Sequence, residues 1–262
     1  MVLTLLHAPG DRPEEVAQAL ATDADVVIVD LAEAAGPGGK EEARAATVAL
    51  LTTPNPRVQV RVNDLRTPHG QADVLALAGL LRGSGGVRIP RIESAEQVRA
   101  VAQAIPGVPL HPLIASALGV ERAFEIATAS GAVATISLDE EELRAELGVT
   151  DDAGLTWARS RVVIAARAAG LPAPAQAAYP DVGDLDGLAA SCRQGRALGF
   201  RGRAAVDAVQ LPVIVAEYRP TEAEIIAAKE IVTAADQGAA ALGRVPGAAA
   251  VRHAREVLRL AR

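Results

Sequence analysis

The chain has 262 residues, half of them hydrophobic, with 26 basic and 32 acidic side chains and a formal charge of −6. An acidic chain with 2% aromatics and no basic tail excludes sequence-independent nucleic-acid binding, and a single cysteine excludes a disulfide framework or a multi-cysteine metal site. No apolar run reaches the roughly 18 residues that span a bilayer, and MVLTLLHAPGDRPEE lacks the features of a signal peptide, so a cytoplasmic protein with no membrane partner is expected.

Val2–His7 reads as a strand, and Pro13–Thr22 as a helix with proline and two glutamates in its first turn. Asp25–Asp30 (DVVIVD) is a continuous apolar run ending in a carboxylate, the pattern of a strand buried on both faces. Lys40–Leu51 is helical, Arg57–Val62 alternates as a third strand, and Gln71–Leu81 is helical. Gly86–Pro90 is a short strand, and Ser94-Ala95-Glu96-Gln97 forms a capping box that opens a helix through Ala104. Leu110–Ala115 is a fifth strand, Gly119–Ala129 a helix and Val133–Leu138 a sixth strand. Helices at Glu140–Leu147 and Thr156–Ala169 follow, then a weak seventh strand at Ala175–Tyr179 and a helix at Leu185–Leu198. Arg203–Asp207 is the eighth strand, and Pro220–Ala235 and Ala248–Leu260 are the last helices. Eight strand–helix alternations with short connections predict an α/β chain: a (β/α)8 TIM barrel over 1–236 with a C-terminal helical extension at 237–262.

In such a barrel the chemistry sits at the C-terminal strand ends. Those ends carry His7, Pro9 and Gly10, then Asp30 and Glu33, Arg61 and Asn63, Arg91 and Glu93, Ala115 and Ser116, Asp139 to Glu142, Tyr179 and Asp181, and Asp207 and Gln210. Arginines facing carboxylates at one rim suit an anionic substrate beside a divalent metal. Arg61 lies inside an apolar strand, where an unpaired charge is costly, so it requires a partner and faces a ligand. Bland roles stand beside the functional ones. Asp139–Glu142 is a D-x-x-E capping box as well as a candidate metal site. Asp30 reads equally as a loop-holding cap, and Arg91 as the partner of Glu93. His7 and His111 read as packed or surface residues, and Cys192 as a helix residue.

Nine segments in order resemble the citrate lyase beta subunit and malyl-CoA lyase family, among them HAPGDRPE, VVIVDLAEA, VRVNDLRTPHGQAD, GVRIPRIESAEQV, PLIASALGV, DEEELRAELG and GRALGFRGRAAVDAVQ. The resemblance implies a (β/α)8 barrel, usually a homo-oligomer and often a trimer. It implies that Mg²⁺ assists cleavage or formation of a carbon–carbon bond between an acyl-thioester enolate, on CoA or a carrier, and a small oxoacid. Arg61 matches the family's substrate-contacting arginine. Arg91 stands at the lysine of L-P-K-x-E-S, Glu33 at the aspartate of L-E-D-A, and Glu142 at the metal-binding aspartate after strand six. The other metal-ligand position, a glutamate in the family, is Ala115, and the I-H-P-x-Q histidine is Asp207. The expected assignments are therefore Arg61, Glu33 and Asp30 as catalytic residues, Arg61, Arg91, Pro9 and Gly10 for substrate, and Glu142 for Mg²⁺. Ala32, at the glutamate of L-E-D-A, together with Ala115 and Asp207 leaves two alternatives open, a ligand-binding or regulatory barrel and a thioester hydrolase.

Overall fold

The structure, a computed structural model, describes residues 2–33, 38–236 and 246–261. Strands β1 (Thr4–Pro9), β2 (Val26–Asp30), β3 (Val58–Arg61), β4 (Gly86–Ile89), β5 (Leu110–Ile114), β6 (Ser137–Leu138) and β7 (Arg203–Ala205) form one curled parallel sheet in the order β6-β5-β4-β3-β2-β1-β7. Between them run helices α1 (Pro13–Leu20), α2 (Lys40–Leu50), α3 (Pro68–Leu77), α4 (Ala95–Ala104), α5 (Ala117–Glu121), α6 (Ala123–Ala127), α7 (Glu140–Leu147), α8 (Thr156–Ala168) and α9 (Leu185–Leu198). After β7 come α10 (Leu211–Tyr218), α11 (Glu222–Asp236) and α12 (Ala248–Leu260).

Side-chain alternation along each strand explains the two-sided burial. Leu6, Ala8, Val27, Val29, Val58, Val60, Val87, Ile89, Leu110 and Ile114 enter the large core shared with the helices. The opposite parity faces the concave side, where Leu5, Val26, Ile28 and Ala204 form a second cluster with Ala175 and Ala178 packed against it. The same parity turns His7, Asp30, Arg61, Arg88 and Leu113 toward one cavity. Strand register puts Asp30 beside Arg61, Arg61 beside Arg88, and Arg88 beside His111.

Several elements differ from expectation for local reasons. β1 starts at Thr4 because the Leu3 and Thr4 amides donate to the Asp25 carboxylate, at 2.7 and 3.1 Å. α3 starts at Pro68, a T-P start in which the Thr67 hydroxyl accepts from Gly70 N. The helix expected at Gly119–Ala129 is split around Arg122. α10 was not expected; it starts directly after the short turn at Ala208–Gln210 that Asp207 caps. The expected sixth strand is reduced to β6 and one bridge, Leu110 to Val133. The expected seventh strand is reduced to a single bridge, Gln176 to Arg203. The sheet is thus a seven-stranded open curl among the described residues, with no ladder between β6 and the Gln176 segment. α11 packs against α12 through Ala228, Ala254 and Val257, a small core of their own. The glycine- and alanine-rich turn between them, 237–245, lies outside the described residues.

Candidate active site

A cavity of about 950 Å³ opens at the C-terminal ends of the strands, lined by His7, Pro9, Asp30, Glu33, Arg61, Arg88 and Asp139, and reaching Gln176 and Arg203 across the unpaired gap. Arg61 is its hub. Nε donates to Asp30 Oδ2 at 2.9 Å, and Nη2 lies 2.5 Å from the same oxygen and 2.6 Å from Glu33 Oε2. Nη1 faces Asp139 Oδ2 at the longer distance of 3.8 Å. The partner that the apolar strand demanded is therefore Asp30, with Glu33 and Asp139 around it.

Asp30 also holds the loop that follows it. Its Oδ1 accepts from the Ala32 and Glu33 amides at 2.8 and 3.2 Å and shapes the loop after β2. Lys40 braces that loop by donating to the Leu31 and Ala32 carbonyls. Gly10 sits beneath, its amide on Asp30 O at 2.9 Å. A Cβ there would come within 2.9 Å of that carbonyl and 2.8 Å of Leu31 Cδ2, so only glycine fits the approach. Gly10 supports the rim, and Pro9 lines the cavity.

Burial alone would raise the Asp30 pKa, but His7, 3.6 Å away, and the Arg61 guanidinium outweigh it and hold the carboxyl well below its usual range. Burial lowers the Arg61 pKa, and the carboxylates of Asp30 and Glu33 more than restore it. Burial pushes the Asp139 carboxyl upward, against the pull of Arg61. The Asp139 cap is real too, since its Oδ1 accepts from Glu142 N at 3.4 Å.

Arg91 and Glu142 lie in a second cavity of about 340 Å³, with Arg66, Glu93, Ala115 and Glu146. Arg91 pairs with Glu142 and lies 3.9 Å from Asp64, so its expected partner Glu93 is not the one it takes. Its backbone has φ of 53°, the one non-glycine residue in the left-handed region among the described residues. Such strain persists where the surroundings hold the residue in place, and it clusters at functional sites.

Other motif residues turn out to brace the structure. Asn63 donates through its amide and its side chain to buried Asp73, at 2.9 and 2.7 Å, and Arg44 Nε holds the other oxygen at 2.7 Å. Gln210, fully buried, joins Val206 N to the Tyr179 carbonyl. Of the packed and surface alternatives, His111 takes the packed one, buried between the Thr135 hydroxyl and the Gly85 carbonyl.

Residues 3–208 match the model of the HpcH/HpaI aldolase/citrate lyase family. The chain belongs to that family. Within it, a (3S)-malyl-CoA thioesterase of Cereibacter sphaeroides is 33% identical over 240 residues, covering 89% of this chain and 83% of the relative. Citrate lyase subunit beta of Leuconostoc mesenteroides subsp. cremoris is 30% identical over 251 residues, with 89% and 82% covered. Among solved structures, CitE of Mycobacterium tuberculosis in complex with magnesium, acetoacetate and coenzyme A has a TM-score of 0.84 at 31% identity, covering 99% of this chain and 98% of that one. The citrate lyase beta subunit of M. tuberculosis complexed with oxaloacetate and magnesium has a TM-score of 0.73 at 33% identity, covering 84% and 97%. The family resemblance read from the sequence is thereby established, and no helix among the described residues is long and apolar enough to cross a membrane.

The family's magnesium can be tested against the donors present. Ala115 offers no oxygen, and the Glu142 carboxylate is taken by Arg91. No group of three His, Cys, Asp or Glu side chains converges on one point among the described residues. As arranged, these donors do not make a two-carboxylate magnesium site.

Proposed function

We propose that the protein is an enzyme acting on an acyl thioester of a small hydroxy or oxo acid, cleaving it as a family lyase at the rim of a closed (β/α)8 barrel. The observation that carries this reading is the Asp30–Arg61–Asp139 cluster facing the larger cavity. Asp30 and Glu33 fix Arg61 through Nε and Nη2, which leaves Nη1 for a substrate oxygen. That donor would stabilise negative charge developing on the thioester carbonyl. Asp139, its pKa raised by burial, is suited to take the hydroxyl proton as the carbon–carbon bond breaks. Closure of the barrel is supported by the Gln176–Arg203 bridge and by the cavity's having both sides of the gap as its walls.

A second reading, thioester hydrolysis, is favoured by Ala115 and by the Arg91–Glu142 pair, which remove free metal ligands. Product analysis separates the two. Incubation with citryl-CoA is expected to release acetyl-CoA and oxaloacetate; free CoA with citrate would establish the hydrolase instead. Neither product, under conditions where Arg61→Lys and the parent protein behave alike, would overturn the enzymatic reading.

The metal question has its own test. Ala115→Glu is expected to tighten Mg²⁺ binding by at least about tenfold in a calorimetric titration, because it adds a hard oxygen donor beside Glu142. An unchanged isotherm would show that a carboxylate at position 115 does not complete a metal site with Glu142.

A further inference from the structure

Arg88 is unused by this reading. Its side chain is buried, with 6% of the residue exposed, on the concave face of β4 and in the wall of the larger cavity. Among the described residues it makes one hydrogen bond, Nη1 to Gln59 Oε1 at 3.0 Å, and no carboxylate oxygen lies within 4.0 Å of it. Strand register sets it between Arg61 and His111. Asp30 and Asp139 act on it only through space, and Arg61 repels it. Burial and that repulsion push its guanidinium down to about 10, so it remains a cation at neutral pH. A buried cation held by one neutral amide is unfavourable without an anion. Arg61, its neighbour, shows the alternative solution, with two carboxylates at 2.5 and 2.6 Å.

We propose that Arg88 receives a second carboxylate of the ligand, deep in the cavity beyond Arg61, so that the protein selects dicarboxylic over monocarboxylic acids. The inference rests on the proposed function for the class of ligand and adds the residue that reads its far end. The free guanidinium edge matches a carboxylate in a fork geometry that a lysine does not reproduce.

The test compares oxaloacetate, freshly dissolved, with pyruvate, which lacks only the distal carboxylate group. In calorimetric titrations of the full chain, oxaloacetate is expected to bind roughly tenfold or more tightly than pyruvate, as one charge-assisted contact implies. Arg88→Met is expected to erase that preference and to leave pyruvate affinity within about twofold. Without ligand, Arg88→Met is expected to melt higher than the parent protein, since it removes an uncompensated buried charge, and oxaloacetate should raise its melting temperature no more than the same concentration of pyruvate does. A purely structural arginine would give the opposite, a lower melting temperature and an intact preference. Should Arg88→Met fail to fold, the parent protein still decides. Equal affinity for the two acids overturns the role of Arg88 and leaves the proposed function standing, whereas binding of neither acid overturns both.

Discussion

Arg61→Ala is expected to lower the free energy of unfolding by about 3–5 kcal/mol at pH 7, the cost of leaving one member of a buried ion pair alone. The loss comes mainly from Asp30, which is 5% exposed and would keep the Ala32 and Glu33 amides and His7 at 3.6 Å. Glu33 adds little, because its side chain is 64% exposed and solvent screens it. The pH dependence gives the effect its signature. In the parent protein the folded Asp30 pKa lies below the unfolded value, near 3.9. Its contribution is therefore complete above that value and is lost as pH falls toward the folded pKa. Without Arg61, the lowering that its guanidinium supplies is gone while burial still opposes the charge, so the folded Asp30 pKa moves up toward the unfolded one and the variant loses less stability than the parent protein in acid. The deficit should be full near neutral pH and shrink as pH falls below about 4. Urea unfolding at pH 7 and at about pH 3 measures it, and a small or pH-independent deficit would mean that another group holds the Asp30 charge.

Acid should also act through His111. Burial, reinforced by the charge of Arg88, pushes its pKa down to about 4, against the pull of the Gly85 carbonyl. The unfolded chain takes up this proton near pH 6.5 while the folded chain resists it. The stability from neutral His111 is thus complete above about pH 6.5 and is lost as pH falls toward the folded value. At about 1.4 kcal/mol per pH step, the loss amounts to about 3 kcal/mol. His111→Gln keeps a polar side chain between Thr135 and Gly85 but cannot titrate, so its unfolding free energy should be flatter between pH 6.5 and 4. Equal slopes in the two proteins would show that imidazole charging does not govern acid stability. The prediction also binds His111 to Arg88: in Arg88→Met the imidazole loses a repelling cation, and the acid slope should become shallower.

How the candidate site became visible differs from residue to residue. Arg61 stood out because a charge in an apolar strand demands a partner, and the partner is there. The same argument applies to Arg88, in GVRI, yet a four-residue strand is too short for its alternation to mark two faces. Arg91 shows the limit of local reading. Glu93 is two residues away, but the pair that forms is with Glu142, 51 positions along the chain. Sequence spacing does not place a side chain whose backbone turns at φ 53°, and the curl of the sheet brings the ends of distant strands together. The seventh strand was weak in sequence and is a single bridge in the structure, a segment of small residues with little apolar surface to hold a ladder.

What the sequence determined by itself is the order of strands and helices, the capping box at Ser94, the N-cap at Asp139, and the need for a counter-ion at Arg61. These follow from periodicity, local hydrogen bonding and the cost of burying charge, all of which act within a few residues. Tertiary structure alone decided which carboxylates meet Arg61, that Glu142 is taken by Arg91, and that Arg88 is left without an anion. Those outcomes depend on register between parallel strands separated by whole helices, where a shift of one residue would turn each side chain to the opposite face.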